Sequence, residues 1–139
     1  MGTNLSKFMN VRIFGAGSIG NHLAHGCRGR GWDVTMTDLD PKALERTRTE
    51  IYPERYKAWD EGISLEVAEG SASAAGFDVA IIGTPPDSHF ALAKDILSKD
   101  PPRVLLIEKP LATPDLKGCA ELAELARESG TCVLVDYNH

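Results

Sequence analysis

Three glycines and one acid have the types and spacing that could hold a phosphorylated ligand. Gly15-Ala16-Gly17-Ser18-Ile19-Gly20 follows the G-x-G-x-x-G pattern, and Asp38 comes after the next apolar run. In this pattern the first glycine permits a tight turn, the second lets a pyrophosphate approach the backbone, and the third lets a helix pack closely on a strand. Amide groups at the start of that helix would face the anion. The sequence therefore predicts a dinucleotide-binding turn.

Asp38 supports this prediction because it lies where the second strand should end. Its carboxylate could accept hydrogen bonds from the adenosine ribose hydroxyls and would repel a 2′-phosphate, which favours NAD as cofactor over NADP. No lysine or arginine follows immediately. A turn or helix-cap role is the alternative for Asp38, and it is the better interpretation of Asp40, which precedes Pro41.

A lysine at a strand end is usually a solvated charge, but the position of Glu108-Lys109-Pro110 gives it interest. It follows the predicted fifth strand, close to where a nicotinamide would lie in such a fold. Lys109 is therefore the candidate for proton transfer to or from a substrate.

Apolar runs of strand length alternate with helix-length segments, and these are the elements that must position the residues above. We predict a doubly wound parallel α/β sheet of the Rossmann type, with strand order 3-2-1-4-5-6 and three α/β/α layers. Ligands of such sheets bind beyond the carboxyl ends of the strands. The predicted strands are residues 11–14, 32–37, 63–67, 79–82, 103–107 and 131–135.

The helical predictions are less uniform. A helix should follow the glycine turn, and a second one should cover about residues 42–49 and break at Tyr52-Pro53, with another turn possible over 54–59. Residues 70–76 fit a poor helix or a loop. Asp87 or Ser88 should cap a helix ending near residue 98, and residues 113–115 should open one that stops at Gly130. The expected inner faces are Phe90, Ala91, Ala93, Ile96 and Leu97 in the first of these, and Leu116, Cys119, Ala120, Ala123 and Ala126 in the second.

Composition excludes several other classes of function. The 139 residues carry a net charge of −5 with acids and bases interspersed, so no basic patch predicts a nucleic-acid partner. No apolar run approaches the ~18 residues of a membrane helix, and the cysteines and histidines lack metal-ligand spacing. Residues 1–10 fit a short tail or a vector-derived remnant rather than a signal peptide, which predicts a cytoplasmic protein.

Four motifs in this order resemble the nucleotide-binding half of the glucose-fructose oxidoreductase and inositol dehydrogenase family (Gfo/Idh/MocA). The resemblance extends from Val11 to the last residue. The motifs are Gly15 to Gly20 with Asp38, Thr84-Pro85-Pro86 with His89, Glu108-Lys109-Pro110-Leu111-Ala112, and Val135-Asp136-Tyr137-Asn138-His139.

The resemblance implies an oxidoreductase that transfers hydride between a nicotinamide cofactor and a hydroxyl compound such as a sugar or cyclitol. It implies that Thr84 to Pro86 line the cofactor beside the nicotinamide ribose and that Lys109 polarises or deprotonates the substrate hydroxyl. It also implies a cis peptide before Pro110. The expected cofactor site also includes Glu108, Pro110, Asn138 and His89. For His89, a structural hydrogen bond is favoured over a catalytic role.

The sequence departs from this family in length, since members run to about twice this size or more, with a second domain that supplies the substrate pocket. We therefore expect residues 11–139 to form the dinucleotide-binding domain alone, without the C-terminal substrate domain, and leave an oligomer open. A non-enzymatic sensor or scaffold that binds a dinucleotide is the main alternative. An adenosylmethionine-dependent methyltransferase shares the glycine turn, but Glu108-Lys109-Pro110 argues against it.

Overall fold

The computed structural model describes residues 8–111, 115 and 118–136, and within them six strands form one parallel sheet. The order β3-β2-β1-β4-β5-β6 confirms the predicted doubly wound topology. Every neighbouring pair is parallel, so all six strands end at the same edge. The strands are β1 (Asn10–Phe14), β2 (Asp33–Asp38), β3 (Ile63–Val67), β4 (Val79–Ile82), β5 (Val104–Glu108) and β6 (Cys132–Asp136).

Helices cover both faces of the sheet, and the sheet divides the core into two layers. Strand β4 is buried along its whole length, as its continuous apolar run predicts, with Val79 and Ile81 in one layer and Ala80 and Ile82 in the other. The helical elements are α1 (Ser18–Gly29), α2 (Pro41–Arg46), a π-helical turn (Thr47–Ile51), α3 (Tyr52–Tyr56), a 3₁₀ turn (Pro86–Ser88), α4 (His89–Lys99) and α5 (Cys119–Ser129).

The second crossover differs from its sequence-based prediction, because the helix does not break at Tyr52-Pro53. Helix α2 passes through the π-helical turn directly into α3, which holds Pro53 in its first turn. A proline inside a regular helix loses one hydrogen bond, and its ring clashes with the carbonyl one turn earlier. The wider π turn relieves both problems while Thr47 and Tyr52 stay buried on the core. We call residues 41–56 the irregular helix.

Three further local predictions are wrong or narrowed. Residues 70–76 contain no helix and form a loop. Helix α4 begins after a 3₁₀ turn, and no side-chain hydrogen bond from Ser88 caps it. Ala91 is exposed, so it does not belong to the inner face of α4.

Helix α5 buries a different stripe from the one expected. Leu122 is its buried residue, whereas Ala120 and Ala123 are exposed. Burying a leucine removes much more apolar area from water than burying an alanine, so the leucine position decides how the helix turns towards the sheet. The helix ends as predicted at Gly130, whose φ is 74°. Thr113, Pro114 and Leu116, expected in and before its first turn, lie outside the described residues.

Gly20 should tolerate no side chain because the first turn of α1 lies against the backbone of the glycine turn there at very short range. A Cβ at Gly20 would stand 2.1 Å from the backbone oxygen of Gly15, whereas one at Gly26 in the same helix would meet nothing within 4 Å. We expect Gly20→Ala to lower the free energy of unfolding by about 2 kcal/mol or more through overpacking. Gly26→Ala, the matched control, should raise it by about 1 kcal/mol through helix propensity. Urea denaturation checks both, and equal effects of the same sign would contradict this account.

Candidate cofactor-binding site

A cleft of about 950 Å³ lies across the carboxyl ends of the strands, and we call it the strand-end cleft. Its floor is the turn between β1 and α1, and its sides come from the segments after β2, β3 and β4 together with the end of β5. Among the residues predicted for the site, those that line the cleft are Gly15, Ala16, Gly17, Ser18, Ile19, Asp38, Thr84, Pro85 and Glu108.

The other predicted residues lie elsewhere. Gly20 sits beneath the turn against Gly15, and Pro86 follows the lining residues into the 3₁₀ turn. Lys109 is exposed at the end of β5, is joined to Pro110 by a cis peptide bond as predicted, and is not among the lining residues. Asn138, with Tyr137 and His139, lies outside the described residues.

The glycine turn is tight because its first residue lies against the end of β4. Gly15 has a φ of 111°, and a Cβ there would stand 2.8 Å from the backbone oxygen of Gly83. Its amide donates to the carbonyl of Thr37 at 2.8 Å, which ties the turn to β2 as well. Only glycine satisfies both the backbone angle and the close approach.

Two buried polar side chains fix the orientation of the peptides in this turn. Thr47 Oγ1 donates to the carbonyl of Ala16 at 3.0 Å, and Asn21 Nδ2 donates to the carbonyl of Gly17 at 2.8 Å and to Thr47 Oγ1 at 3.1 Å. In a trans peptide the N–H points away from the C=O. Because the carbonyls are held on the buried side, the N–H groups of Gly17 and Ser18 are directed towards the strand-end cleft.

The start of α1 is therefore suited to an anion. Within the described chain, no side chain caps the helix at Gly17 and its first turn contains no acid. A Cβ at Gly17 would meet nothing within 4 Å, so space in front of the turn is open. Uncapped amides and the positive end of the helix dipole attract a phosphate group at such a position.

Asp38 has a structural role in addition to its predicted one. Its Oδ2 accepts from the amide of Ala16 at 2.8 Å, and its Oδ1 accepts from the amide of Asp40 at 2.9 Å. Each carboxylate oxygen keeps a second acceptor position, so these bonds leave capacity for ribose hydroxyls. Asp40 is the cap of α2, as predicted, since its Oδ1 accepts from the amide of Lys42 at 2.9 Å.

Internal hydrogen bonds hold the loop between β4 and α4. The His89 side chain is almost fully buried, and its Nε2 lies 2.7 Å from the carbonyl oxygen of Thr84. Because a carbonyl only accepts, this nitrogen carries a proton. Ser88 Oγ lies 2.5 Å from Thr84 Oγ1 and donates to the carbonyl of Pro85 at 2.7 Å. These bonds present Thr84 and Pro85 at the wall of the cleft.

A pair of carboxyl groups stands where β5 and β6 end. Glu108 and Asp136 are partners in the strand register. Glu108 is buried, and its Oε2 has no hydrogen-bond partner. Burial, followed by the charge of Asp136, raises the pKa of Glu108.

Sequence reasoning missed several residues in and around the cleft. Asn21 and Thr47 act from beneath the glycine turn and carry no local signal. Leu39, 78% exposed, lines the cleft beside Asp38, and Ile51 reaches it from the π turn. Arg46, in the helix that follows Asp38, also lines the cleft, although no lysine or arginine comes directly after Asp38 in sequence. A helical projection starting from Asp40 could have found Arg46.

Neither a metal centre nor a membrane span is present in the described part of the chain. No group of three or more His, Cys, Asp or Glu residues there is arranged to hold a metal ion. None of the helices described there has the length and apolar character needed to span a membrane.

This sheet order, with an uncapped glycine turn at the first crossover, defines a Rossmann domain of the nucleotide-binding class. The chain belongs to the Gfo/Idh/MocA family, an oxidoreductase family with an NAD-binding Rossmann fold, whose family model matches residues 9–137. It is thus a Rossmann NAD-binding oxidoreductase domain, as the sequence motifs predict. The alternative of a sensor or scaffold is not favoured. A search of curated proteins finds no match.

Solved structures share the fold at low sequence identity. Apo scyllo-inositol dehydrogenase from Lactobacillus casei superposes with a TM-score of 0.68 at 15% identity over 94% of this chain and 36% of its own. Myo-inositol 2-dehydrogenase from Lactobacillus plantarum superposes with a TM-score of 0.66 at 18% identity over 94% of this chain and 36% of its own. 3-Hydroxyisobutyrate dehydrogenase from Mycobacterium tuberculosis superposes with a TM-score of 0.60 at 17% identity over 92% of this chain and 40% of its own. The chain thus spans well under half the length of each of them.

The Glu108 carboxyl should make folding stability depend on pH. Its pKa is raised in the folded state, so the stability linked to its proton is present below the ordinary glutamate pKa and is lost as the pH rises through the folded-state value. Glu108→Gln cannot ionise and should gain stability relative to the parent as the pH rises from about 4 to about 8. Denaturant titrations at each pH measure this, with exposed Glu128→Gln as the matched control. Parallel curves for parent and Glu108→Gln would refute the assignment.

Proposed function

We propose that this domain holds NAD(H) in the strand-end cleft, as the cofactor-binding part of an oxidoreductase acting on a hydroxyl compound such as a sugar or cyclitol. The observation that carries the proposal is the glycine turn, whose outward amides meet the uncapped start of α1 inside the cleft. NAD(H) would supply the hydride acceptor or donor when bound. The substrate class rests on the resemblance of the four sequence motifs.

The cleft has a volume that fits this cofactor. About 950 Å³ lies within the usual range of about 300–1,000 Å³ for ligand sites. In the proposed arrangement Gly17 and Ser18 hold the pyrophosphate, Asp38 accepts from the adenosine ribose, and Thr84 and Pro85 flank the nicotinamide ribose. Glu108 borders the same end of the cleft.

Lys109 is the proposed proton-transfer residue. Its position directly after β5 and next to Glu108, which lines the cleft, supports this role, because in the proposed arrangement the nicotinamide would lie at that strand end. The neutral amine of Lys109 would take a proton from the substrate hydroxyl as hydride leaves, and the ammonium group would return it in the reverse reaction. Substrate-binding residues would come from outside this domain in a larger protein. A cytoplasmic location and an oligomeric state stay predictions from the sequence.

NADH binding tests the central proposal. Titration of the folded domain with NADH, followed by nicotinamide fluorescence or calorimetry, should give saturable binding with a Kd of about 1 µM to 1 mM. Adenosylmethionine should not displace the bound NADH, which separates the proposal from a methyltransferase. A verified domain of the same family serves as the positive control. The proposal fails if that domain binds NADH and this one, shown to be folded, does not.

NAD is the proposed preference over NADP, and Asp38 is the residue that sets it. Asp38→Ala removes the charge that would repel a 2′-phosphate, so the ratio of NADPH to NADH affinity should rise by about tenfold. Asp40→Ala is the matched control, because it removes a helix cap worth about 1 kcal/mol of stability but no predicted ribose ligand. Competition titrations with both cofactors measure the ratio. An unchanged ratio in Asp38→Ala would remove Asp38 from the ribose site.

A further inference from the structure

Arg55 of α3 reaches the glycine turn from 37 residues away in sequence. Its Nη1 donates to the backbone oxygen of Ser18 at 2.8 Å, and its Nη2 donates to Ser18 Oγ at 2.6 Å. Ser18 is the first residue of α1 and lines the strand-end cleft. A guanidinium group is therefore hydrogen-bonded to a residue that lines the cleft, although Arg55 itself is not among the lining residues.

The second of these bonds decides where the Ser18 hydroxyl can point its proton. A serine hydroxyl has one proton and two acceptor positions. Because the Arg55 guanidinium is only a hydrogen-bond donor, it occupies one acceptor position of the Ser18 hydroxyl. The hydroxyl proton must then point away from the guanidinium. The Ser18 hydroxyl is then free to donate to a ligand oxygen in the cleft.

The two bonds between Arg55 and Ser18 are exposed to solvent, and the guanidinium group lies beside the start of α1. A helix N-terminus carries the positive end of the helix dipole, so a cation there is unfavourable in the absence of an anion. The first turn of α1 contains no acid that could offset the charge of Arg55. An anion bound between Arg55 and the helix amides would be stabilised by both.

The irregular helix is what brings Arg55 to this position. Thr47 ties its π turn to the carbonyl of Ala16, and Tyr52 is buried in the core directly after that turn. Arg55 follows Tyr52 by almost one turn, on the exposed side of α3 next to the start of α1. The bulge that accommodates Pro53 therefore also positions a cation.

We infer that Arg55 is a positioning residue for pyrophosphate binding, which orients the Ser18 hydroxyl and adds positive charge at the glycine turn. This inference rests on the proposed function and names a residue that the sequence motifs do not contain. It concerns binding of the phosphates only, so the adenosine part of the cofactor should not depend on it.

The test is a double-mutant cycle with ADP-ribose as the probe. Arg55→Gln should weaken ADP-ribose binding by about tenfold, and Ser18→Ala should weaken it by a smaller factor. The affinity of the double variant should lie within about twofold of the affinity of Arg55→Gln. Adenosine, measured by competition, should bind all four proteins equally. Arg48→Gln is the matched control, since Arg48 is an exposed arginine of the irregular helix that pairs with Glu45.

Stability gives an independent readout. Removing a cation from a helix N-terminus should leave the free energy of unfolding of Arg55→Gln unchanged or slightly higher. A purely structural role predicts a loss of stability and equal weakening of adenosine and ADP-ribose. Arg55→Lys keeps the charge but loses the bidentate hydrogen bonding, so its ADP-ribose affinity should fall by about threefold. This variant replaces Arg55→Gln in the test if Arg55→Gln fails to fold.

Two failures are distinguishable. If the parent protein binds neither NADH nor ADP-ribose, the proposed function itself is wrong. If the parent binds ADP-ribose and Arg55→Gln binds it equally well, or if the Arg55 and Ser18 effects simply multiply, the proposed function stands and the role of Arg55 is refuted.

Discussion

The orientation of two peptide groups in the glycine turn is the constraint on which the rest of the site depends. Thr47 and Asn21 hold the carbonyls of Ala16 and Gly17 on the buried side, so the following amides face the cleft. Asn21 and Thr47 are fully buried, where an unsatisfied carbonyl would be costly. The bond from Thr47 thus satisfies the carbonyl of Ala16 and also sets the direction of the amide that follows it.

This arrangement links the irregular helix to the cofactor cleft. A regular helix through residues 41–56 would rotate everything after Arg46 relative to the glycine turn and would place Pro53 in conflict with the preceding carbonyls. The π turn lets Thr47 face the turn from below while Ile51 faces the cleft and Tyr52 faces the core. One extra residue in a helical turn therefore decides three contacts. Such bulges occur often at functional sites, and the mechanism here is visible in named bonds.

The sheet and the glycine turn could be predicted from the sequence because their signals are local. Continuous apolar runs separated by helix-length segments indicate buried parallel strands, and G-x-G-x-x-G indicates a turn whatever lies around it. The contacts of Thr47 with Ala16 and of Arg55 with Ser18 join residues 31 and 37 positions apart, so no local pattern predicts them. The face of α5 was predicted wrongly because its alanines look apolar but contribute little burial compared with Leu122. Tertiary packing, not helical periodicity, decides such cases.

Asp38 shows why, in the proposed site, cofactor choice would be coupled to the integrity of the turn. Both of its oxygens accept backbone amides, so the carboxylate has a fixed direction and its remaining acceptor positions are set before any ribose arrives. Replacing it with a neutral or basic residue would also leave the Ala16 amide without its acceptor. Arg46 lines the same cleft from a different element and takes no part in the bonds of Asp38. In the proposed site, a change at Asp38 would therefore act on the turn and on the ribose position together, whereas a change at Arg46 would leave the Ala16 amide bonded.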